Sequence, residues 1–363
     1  MLLQRPTAVV DEEKVRNNIR RIAMKAAKSR ANFRPHFKTH QSADIGEWFR
    51  DEGVDTIAVS SVKMAEYFAG NGWKDILIAF PFNIHETEVL NRSIIARPGL
   101  TIESVETLLY LGRNLKSRAD IYLKIDTGYG RTGIRPEQTD LIDNLTTTIS
   151  NYPTLRLTGL LAHFGSTYNA GNKDEIAQIY RKGLKDLETI RQRLNPSFPN
   201  LRISIGDTPG ISVLSDFSPA DELRPGNFVF YDTMQYLAGS CRAEDIALAV
   251  YTPVVALHPE RNEAVIHGGA IHLSKDSVNH PVYGTLFGLV AYPQDKGWSH
   301  PVEGAYVKSI SQEHGIVRFP ENEIKNLRIG DFLAILPVHS CLTASLFPAY
   351  ITTTGKRLEK MQG

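Results

Sequence analysis

Eight short apolar runs, separated by helical patterns, most constrain the fold of this chain. In order they are NFRPHF, TIAVSS, DILIAF, GLTIES, DIYLKID, LTGLLAHFG, RISIGD and ELRPGNFVFYD. Eight strands that alternate with helices over roughly 230 residues fit a (β/α)8 barrel better than a six-stranded doubly wound sheet. Ahead of the first run, Val15, Ile19, Ile22 and Ala26 recur at helical spacing, which predicts an amphipathic helix with Asp11 as its N-cap.

The pattern changes beyond residue 240. Segments such as AVYTPVVAL, EAVIHGGA, AYVKSISQ and FLAILPVHS are broken by Pro, Asn and Gly and have no long helical period. This texture is typical of antiparallel strands. We therefore predict an α/β protein in which a (β/α)8 barrel spans residues 11–238. Residues 239–363, together with residues 1–10, are predicted to form an antiparallel β domain.

The composition argues against a nucleic-acid partner and against a membrane-spanning segment. The 363 residues include 41 basic and 40 acidic side chains, so the formal net charge is +1 and the basic footprint of a nucleic-acid binder is missing. The N-terminus has no apolar core of signal-peptide length, and no apolar run approaches the roughly 18 residues that span a bilayer. We expect a cytoplasmic protein with a small-molecule partner. Cys241 and Cys341 are far apart, so a structural disulfide is not expected, and Cys241 has no evident role.

Polar residues fall where the apolar runs end, at Lys38, Arg131, His163, Asp207 and Tyr231. In a barrel, the ends of the strands form one mouth that carries the catalytic groups. A lysine at an inward-facing position of this kind loses hydration, which lowers its pKa and makes its amine nucleophilic enough to form an imine. On spacing alone, an ordinary surface lysine at a strand end remains an open interpretation of Lys38.

The stretch RPHFKTH around Lys38 strongly resembles the lysine motif of fold-type III pyridoxal phosphate enzymes, in the branch with D-serine dehydratase and D-threonine aldolase. The resemblance covers nearly the whole chain and includes DTGYGRTG, LAHFG, GDTP, RPGNFVFYD and HSC, in that order. It implies that Lys38 is the catalytic lysine and carries pyridoxal 5'-phosphate covalently. Gln41 departs from the family, which usually has lysine after KTH, and this bears on the charge and substrate preference of the pocket.

The resemblance also implies the residues that surround the cofactor. Arg131 faces its phenolate oxygen, His163 stacks on its pyridine ring, and Arg224 meets the ring nitrogen. Tyr168 reaches one side of the cofactor. The phosphate is surrounded by backbone and side-chain donors of Gly206, Thr208, Gly226, Asn227 and Tyr231. Without the resemblance, Arg131 is equally a loop ion pair, His163 a core histidine and Tyr168 a packing residue.

His339 and Cys341 in PVHSCLT are two positions apart, so on a strand their side chains would share one face and could bind one ion. Two ligands leave positions open for substrate or water, as in a catalytic metal site. The resemblance implies aspartate at the second position in the aldolases and cysteine in the dehydratases. A thiolate favours zinc, although manganese or another divalent ion stays open. A chance neighbourhood of one histidine and one cysteine remains the alternative for the pair by itself.

Together these features predict a pyridoxal phosphate- and zinc-dependent lyase that dehydrates D-serine to pyruvate and ammonia. The alternatives are a D-threonine aldolase, a 3-hydroxyaspartate dehydratase, an amino acid racemase and a pyridoxal phosphate-binding protein without turnover. The resemblance disfavours the last two alternatives, because the carriers lack the C-terminal domain and the racemases lack the metal pair. The resemblance also implies a homodimer. Three more histidines, His267, His272 and His314, are interpreted as partly exposed loop residues.

Overall fold

The computed structural model describes residues 3–362. Over this range the chain divides into two compact units. The barrel unit comprises Arg20–Lys38 and Phe49–Gly226, and the β unit comprises the described parts of Met1–Ile19, Thr39–Trp48 and Asn227–Gly363. The boundary predicted from the change of sequence pattern, between residues 238 and 239, stays a prediction.

The strands of residues 3–362 follow in chain order. They are β1 (Thr7–Val10), β2 (Asn32–Phe33), β3 (Thr56–Val59), β4 (Asp75–Pro81), β5 (Gly99–Ile102), β6 (Ala119–Ile125), β7 (Leu155–Ala162), β8 (Arg202–Ile205), β9 (Glu222–Leu223), β10 (Leu248–His258), β11 (Glu263–His267), β12 (Val278–His280), β13 (Gly284–Leu286), β14 (Gly288–Ala291), β15 (Pro293–Gln294), β16 (Gly297–Trp298), β17 (Tyr306–Ile310), β18 (His314–Arg318), β19 (Phe332–Pro337), β20 (Ala349–Thr352) and β21 (Arg357–Glu359).

The α-helices of the same range are α1 (Glu12–Lys28), α2 (Ala43–Arg50), α3 (Val62–Gly70), α4 (Thr87–Arg92), α5 (Val105–Asn114), α6 (Thr139–Ser150), α7 (Lys173–Leu194), α8 (Thr208–Val213), α9 (Thr233–Leu237), α10 (Ala270–Leu273), α11 (Glu321–Ile324) and α12 (Ser340–Ser345). Short 3-10 helices occur at Ile84–Glu86, Gly165–Asn169, Asn227–Val229, Ala243–Asp245 and Pro259–Arg261. Among the helices of the described chain, none is long and apolar enough to cross a membrane.

A parallel sheet closes the barrel unit. Within the described residues its eight strands are hydrogen-bonded in the order β2-β9-β8-β7-β6-β5-β4-β3, and each contains part of one predicted apolar run. A parallel bridge between His36 and Ala58 joins the two ends of this order. The predicted (β/α)8 barrel is therefore confirmed. Its strands are apolar on both faces because the interior is packed with side chains and the outside is covered by helices.

The predicted first helix is also confirmed. It begins directly after Asp11, whose Oδ1 accepts a hydrogen bond of 3.1 Å from the Lys14 backbone N–H. Val15, Ile19 and Ile22 are fully buried along one face. This is the stripe that the helical spacing of apolar residues requires.

The β unit contains a mainly antiparallel sheet, as predicted for the C-terminal part of the chain. In the range that the structure describes, its nine strands follow the order β11-β18-β17-β14-β19-β10-β1-β20-β21. The N-terminal strand β1 pairs antiparallel with β10 and parallel with β20. Three of the four predicted segments contain β11, β17 and β19, and the fourth lies within β10. The N-terminal strand thus belongs to the same sheet as strands from the C-terminal part of the chain.

Candidate active site and metal pair

Arg34, the first charged residue of the stretch RPHFKTH, is buried and forms ion pairs. This side chain is 2% exposed, yet it carries a full charge in the barrel unit. Its Nε donates to Glu222 at 2.7 Å, and its Nη1 donates to Asp75 at 2.7 Å. Glu222 is 1% exposed, so the two buried charges compensate each other.

The same stretch anchors itself in the barrel unit through Phe37. The Phe37 ring lies 4.9 Å from the rings of Phe49 and Phe68 and 5.0 Å from that of Trp73, measured between centroids. Lys38 follows in a turn and is exposed. The prediction that Lys38 is a desolvated strand residue is therefore wrong, because β2 ends five residues earlier, at Phe33.

The glycine-rich loop after β6 is organised by one carboxylate. Asp126 Oδ1 accepts backbone hydrogen bonds from Gly128, Tyr129 and Gly130 at 3.0, 2.9 and 3.0 Å. Arg131 then projects from the loop and is exposed, with its guanidinium carbon 5.1 Å from the centroid of the Tyr129 ring. The loop conformation predicted from the glycines is thus fixed by Asp126, which the sequence analysis did not single out.

His163 follows the end of β7, and its protonation is set by its surroundings. Nδ1 lies 2.5 Å from the carbonyl oxygen of Gly206, so Nδ1 carries the proton and donates it. Burial, together with the positive charges of Lys124 and Arg131, lowers the pKa of His163 to about 3. A neutral ring held at one nitrogen suits the predicted stacking role.

Lys124, on β6, is a buried lysine that the sequence analysis missed. It is 6% exposed. Burial and the charges of Arg224 and Arg131 lower its pKa to about 7. The signal was present in the sequence, since DIYLKID places a lysine inside an apolar run. The burial and lowered pKa that the sequence predicts for Lys38 are found at Lys124 instead.

Arg224 is held by a buried network of the barrel unit. Its Nε donates to Ser204 Oγ at 2.6 Å, and its Nη2 donates to the Ala162 carbonyl at 2.8 Å. Ser204 Oγ in turn donates to Glu222 at 2.5 Å, so one carboxylate serves Arg34 and this serine. Burial lowers the pKa of Arg224 to about 10, which still leaves it charged at neutral pH.

The predicted phosphate cradle has a close backbone contact at Gly206 and an unsatisfied hydroxyl at Thr208. A Cβ atom at Gly206 would lie 2.6 Å from the Arg224 carbonyl oxygen, so only glycine fits this close approach. Thr208 Oγ1 is buried and lacks a hydrogen-bond partner within residues 3–362. The Thr208 N–H donates to Tyr168 Oη at 3.3 Å. A buried hydroxyl without a partner is what a phosphate can satisfy, so Thr208 fits the predicted pyridoxal phosphate site. Gly226 is the last residue of the barrel unit.

Asn227 and Tyr231, predicted at the phosphate, have defined contacts in the β unit. Asn227 Nδ2 donates to Asp232 at 2.5 Å and lies 3.6 Å from Cys341 Sγ. Tyr231 is buried with a positive φ of 47°, and its N–H donates to the Asn227 carbonyl at 2.8 Å. The observed side-chain amide contacts of Asn227 are therefore with the surroundings of the metal pair. The phosphate role of both residues stays a prediction.

The HxC pair does not lie on a strand, so that part of the prediction is wrong. Strand β19 ends at Pro337, and His339 caps α12, because its carbonyl accepts the Thr343 N–H at 3.1 Å. Cys341 lies in the first turn of this helix. The two side chains nevertheless meet. Burial lowers the pKa of His339, but hydrogen bonding to Cys341 and the nearby Asp232 and Asp276 carboxylates raise it to about 10.

Two further residues of the β unit complete the surroundings of the pair. Asp276 Oδ2 lies 2.7 Å from His339 Nδ1, and Thr39 Oγ1 lies 3.2 Å from Cys341 Sγ. Thr39 is the residue that follows Lys38 in the chain. One imidazole and one thiol, with a carboxylate behind the imidazole, fit a borderline divalent cation such as zinc. Sequence reasoning missed Asp276, because it lies 63 positions before His339.

Comparison with known proteins identifies the family. Residues 10–233 match the model of the alanine racemase N-terminal domain, and residues 247–353 match a putative serine dehydratase domain. The chain belongs to the fold-type III pyridoxal phosphate enzymes. Within this family it is a lyase, as predicted, since relatives that align with nearly the whole chain are named dehydratases and aldolases.

Two relatives align with nearly the whole chain. The D-serine dehydratase of Dictyostelium discoideum is 29% identical over 96% of this chain and 93% of its own length. The D-threo-3-hydroxyaspartate dehydratase of Delftia sp. HT23 has a solved structure with 27% identity and a TM-score of 0.91, covering 99% of this chain and 98% of that one. Structures of two variants of a D-threo-3-hydroxyaspartate dehydratase are also similar to this chain. One variant replaces a histidine with alanine. The other replaces a cysteine two positions later with alanine and is in a metal-free form. His339 and Cys341 have the same order and spacing.

Proposed function

We propose that this protein is a pyridoxal phosphate- and zinc-dependent lyase that dehydrates D-serine to pyruvate and ammonia. The observation that carries the proposal is the contact between His339 and Cys341, with Asp276 behind the histidine. A thiolate ligand suits zinc and the dehydratase outcome, whereas a carboxylate would suit a harder ion.

The barrel residues would bind the cofactor and handle one proton. Bound pyridoxal phosphate supplies an electron sink at the substrate α carbon, and a bound zinc ion supplies Lewis-acid polarisation of the β-hydroxyl. Lys38 would take the α proton on its Nζ, for which the amine must be uncharged. His163 presents a neutral ring face, and Arg224 presents a cation that Ser204 and Ala162 hold in place.

The β unit residues would bind the metal and the departing hydroxyl. Asp276 accepts the Nδ1 proton of His339, which leaves Nε2 as the metal ligand. Cys341 must be a thiolate to bind the ion, and the neighbouring Thr39 hydroxyl and Asn227 amide are placed to donate to its sulfur. The proposed homodimer, the cytoplasmic location and zinc itself remain predictions.

Dehydration of D-threo-3-hydroxyaspartate is the second candidate. It rests on the Delftia enzyme, which resembles this chain over nearly its whole length. Such a substrate carries a second carboxylate, which a side-chain cation would have to bind. The outcome of the assay below separates the two candidates and the aldolase alternative.

The test is product formation by the pyridoxal phosphate-loaded protein, with zinc and after chelation. D-Serine is expected to give zinc-dependent pyruvate and ammonia, and Cys341→Ala is expected to abolish them. Cys241→Ala, the other cysteine of the chain, is the matched control and should keep activity. Oxaloacetate from D-threo-3-hydroxyaspartate alone would favour the second candidate, and glycine with acetaldehyde from D-threonine would make the protein an aldolase. The absence of product from all three substrates would overturn the proposal.

A further inference from the structure

A second group of metal-ligating side chains lies in the β unit and shares no residue with the HxC pair. His267 ends β11, His272 lies in α10, and Glu313 lies in the turn between β17 and β18. Each offers one ligand atom, and these atoms all lie within 4.8 Å of one another. Both histidines are partly exposed, as predicted, and so is the glutamate, but the predicted loop position is wrong for His267 and His272, which lie in a strand and a helix.

The side chains are oriented towards each other. His267 Nε2 lies 3.6 Å from Glu313 Oε2. The rings of His267 and His272 are nearly perpendicular, with an interplanar angle of 87° and centroids 5.4 Å apart. Two imidazoles and a carboxylate therefore converge from three separate elements of the chain.

The backbone holds these elements together independently of any ligand. The N–H groups of Ala270 and Ile271 donate to the carbonyls of Ser311 and Gln312 at 2.8 and 3.3 Å. A Cβ atom at Gly269 would lie 2.5 Å from the Ser311 carbonyl oxygen, so the close approach of the two segments requires glycine here. Because Ser311 and Gln312 directly precede Glu313, these contacts fix the position of the glutamate relative to the helix that carries His272.

His272 has an unsatisfied nitrogen. Its Nδ1 is buried and has no hydrogen-bond partner among the residues that the structure describes. Burial and the neighbouring His267 lower the pKa of His272, so its ring is neutral at neutral pH. A neutral imidazole is the form that binds a metal, and buried polar atoms usually have a partner.

We propose that His267, His272 and Glu313 form a second divalent-cation site. Two imidazoles with one carboxylate bind borderline cations such as zinc, cobalt(II), nickel(II) or iron(II), and leave positions open for water or a small ligand. The set has no thiolate, which separates it chemically from the HxC pair. A bound cation would join β11, α10 and the turn between β17 and β18, and would stabilise the folded protein through its binding free energy.

Cobalt(II) titration of the pyridoxal phosphate-loaded protein, freed of metal by chelation, tests the site. The background is Cys341→Ala, so that cobalt bound to the HxC thiolate does not contribute. We expect one equivalent of cobalt per chain with ligand-field bands, no thiolate charge-transfer band and a raised melting temperature. His272→Ala and Glu313→Gln should each weaken this binding at least tenfold.

The matched control is His300→Ala, which removes another histidine that lies 3.5 Å from a glutamate, Glu244. It should leave the cobalt affinity and the rise in melting temperature unchanged. Glu313→Gln preserves the shape of its side chain, so it tests the ligand role even where His272→Ala reduces stability. Unchanged cobalt binding in both variants, or absence of cobalt binding in the Cys341→Ala background, would overturn the proposal. Neither result bears on lyase activity, because activity is not measured.

Discussion

The carboxylate of Asp276 lies 2.7 Å from His339 Nδ1. Because a carboxylate accepts hydrogen bonds, this contact places a proton on Nδ1 and leaves Nε2 as the ligand atom of the proposed metal site. Such partners orient a ligand and raise its basicity, and their loss typically weakens metal affinity about 10- to 100-fold. We therefore expect Asp276→Asn to weaken zinc binding by that factor, measured by competition with a chromophoric chelator.

Ser277→Ala provides the control for this measurement, because Ser277 is the exposed neighbour of Asp276. Its zinc affinity should equal that of the wild type. Should Asp276→Asn bind zinc as tightly as the Ser277 variant, the carboxylate has no part in orienting His339. A loss of zinc affinity with an unchanged melting temperature of the metal-free protein would separate the orienting role from a general loss of stability.

The barrel could be predicted from the sequence because its signal is local. Each of the strands β2–β9 coincides with part of an apolar run of the sequence. The helical spacing of apolar residues in α1 is visible at Val15, Ile19 and Ile22. The immediate surroundings of the site could not be predicted in the same way. Glu222 and Asp276 act on residues 188 and 63 positions away, and one sequence does not show which distant charges meet.

Two local errors have physical reasons. The run NFRPHF predicts a strand that reaches Lys38, but β2 ends at Phe33 and Lys38 lies in a turn. The spacing of His339 and Cys341 predicts that they share one face of a strand, but β19 ends at Pro337 and α12 begins directly after His339. In both cases the strand ends before the polar residue, and the polar residue lies on the turn that follows.

Arg34 makes a testable contribution to stability through Glu222. Replacing it in Arg34→Met leaves the Glu222 carboxylate buried without its cation, which typically costs about 3–5 kcal/mol. We expect the midpoint of urea unfolding to fall accordingly. The double variant Arg34→Met with Glu222→Gln removes both charges and should recover part of this loss. If the double variant is as unstable as the sum of the two single variants, the pair is not coupled.

Because the pKa of Lys124 is lowered in the folded protein, we expect the free energy of unfolding to depend on pH. Its pKa is lowered to about 7 in the folded barrel unit, from an ordinary value of 10.5. Between these values the unfolded state binds more protons than the folded state, so stability rises with pH, by up to about 1.4 kcal/mol per pH unit. Below pH 7 both states are protonated and this contribution is constant at its least favourable.

Lys124→Met removes that titration. The stability of the wild type relative to Lys124→Met is therefore expected to increase from pH 7 to pH 10, as measured by urea unfolding at several pH values. Lys63→Met, at an exposed position, should show no such change relative to the wild type. A difference between wild type and Lys124→Met that stays constant across this range would contradict the lowered pKa.

Lys360 stabilises the helix that carries Cys341. It is 5% exposed, and its Nζ donates to the carbonyls of Ala344 and Phe347, the latter at 2.8 Å, at the C-terminal end of α12. A cation at this end also complements the helix dipole. Lys360→Met would leave two carbonyls without their donor, at a cost of about 1–3 kcal/mol for each.

We expect Lys360→Met to lower the midpoint of urea unfolding and to speed zinc release, because the helix that carries Cys341 loses its C-terminal cap. The control is Lys356→Met, since Lys356 is exposed and bonds to Thr352 through its backbone N–H and carbonyl. It should match the wild type in both measurements. An unchanged unfolding midpoint in Lys360→Met would show that water replaces the lysine at the helix end. A lower midpoint with unchanged zinc release would mean that α12 keeps Cys341 in place without its cap.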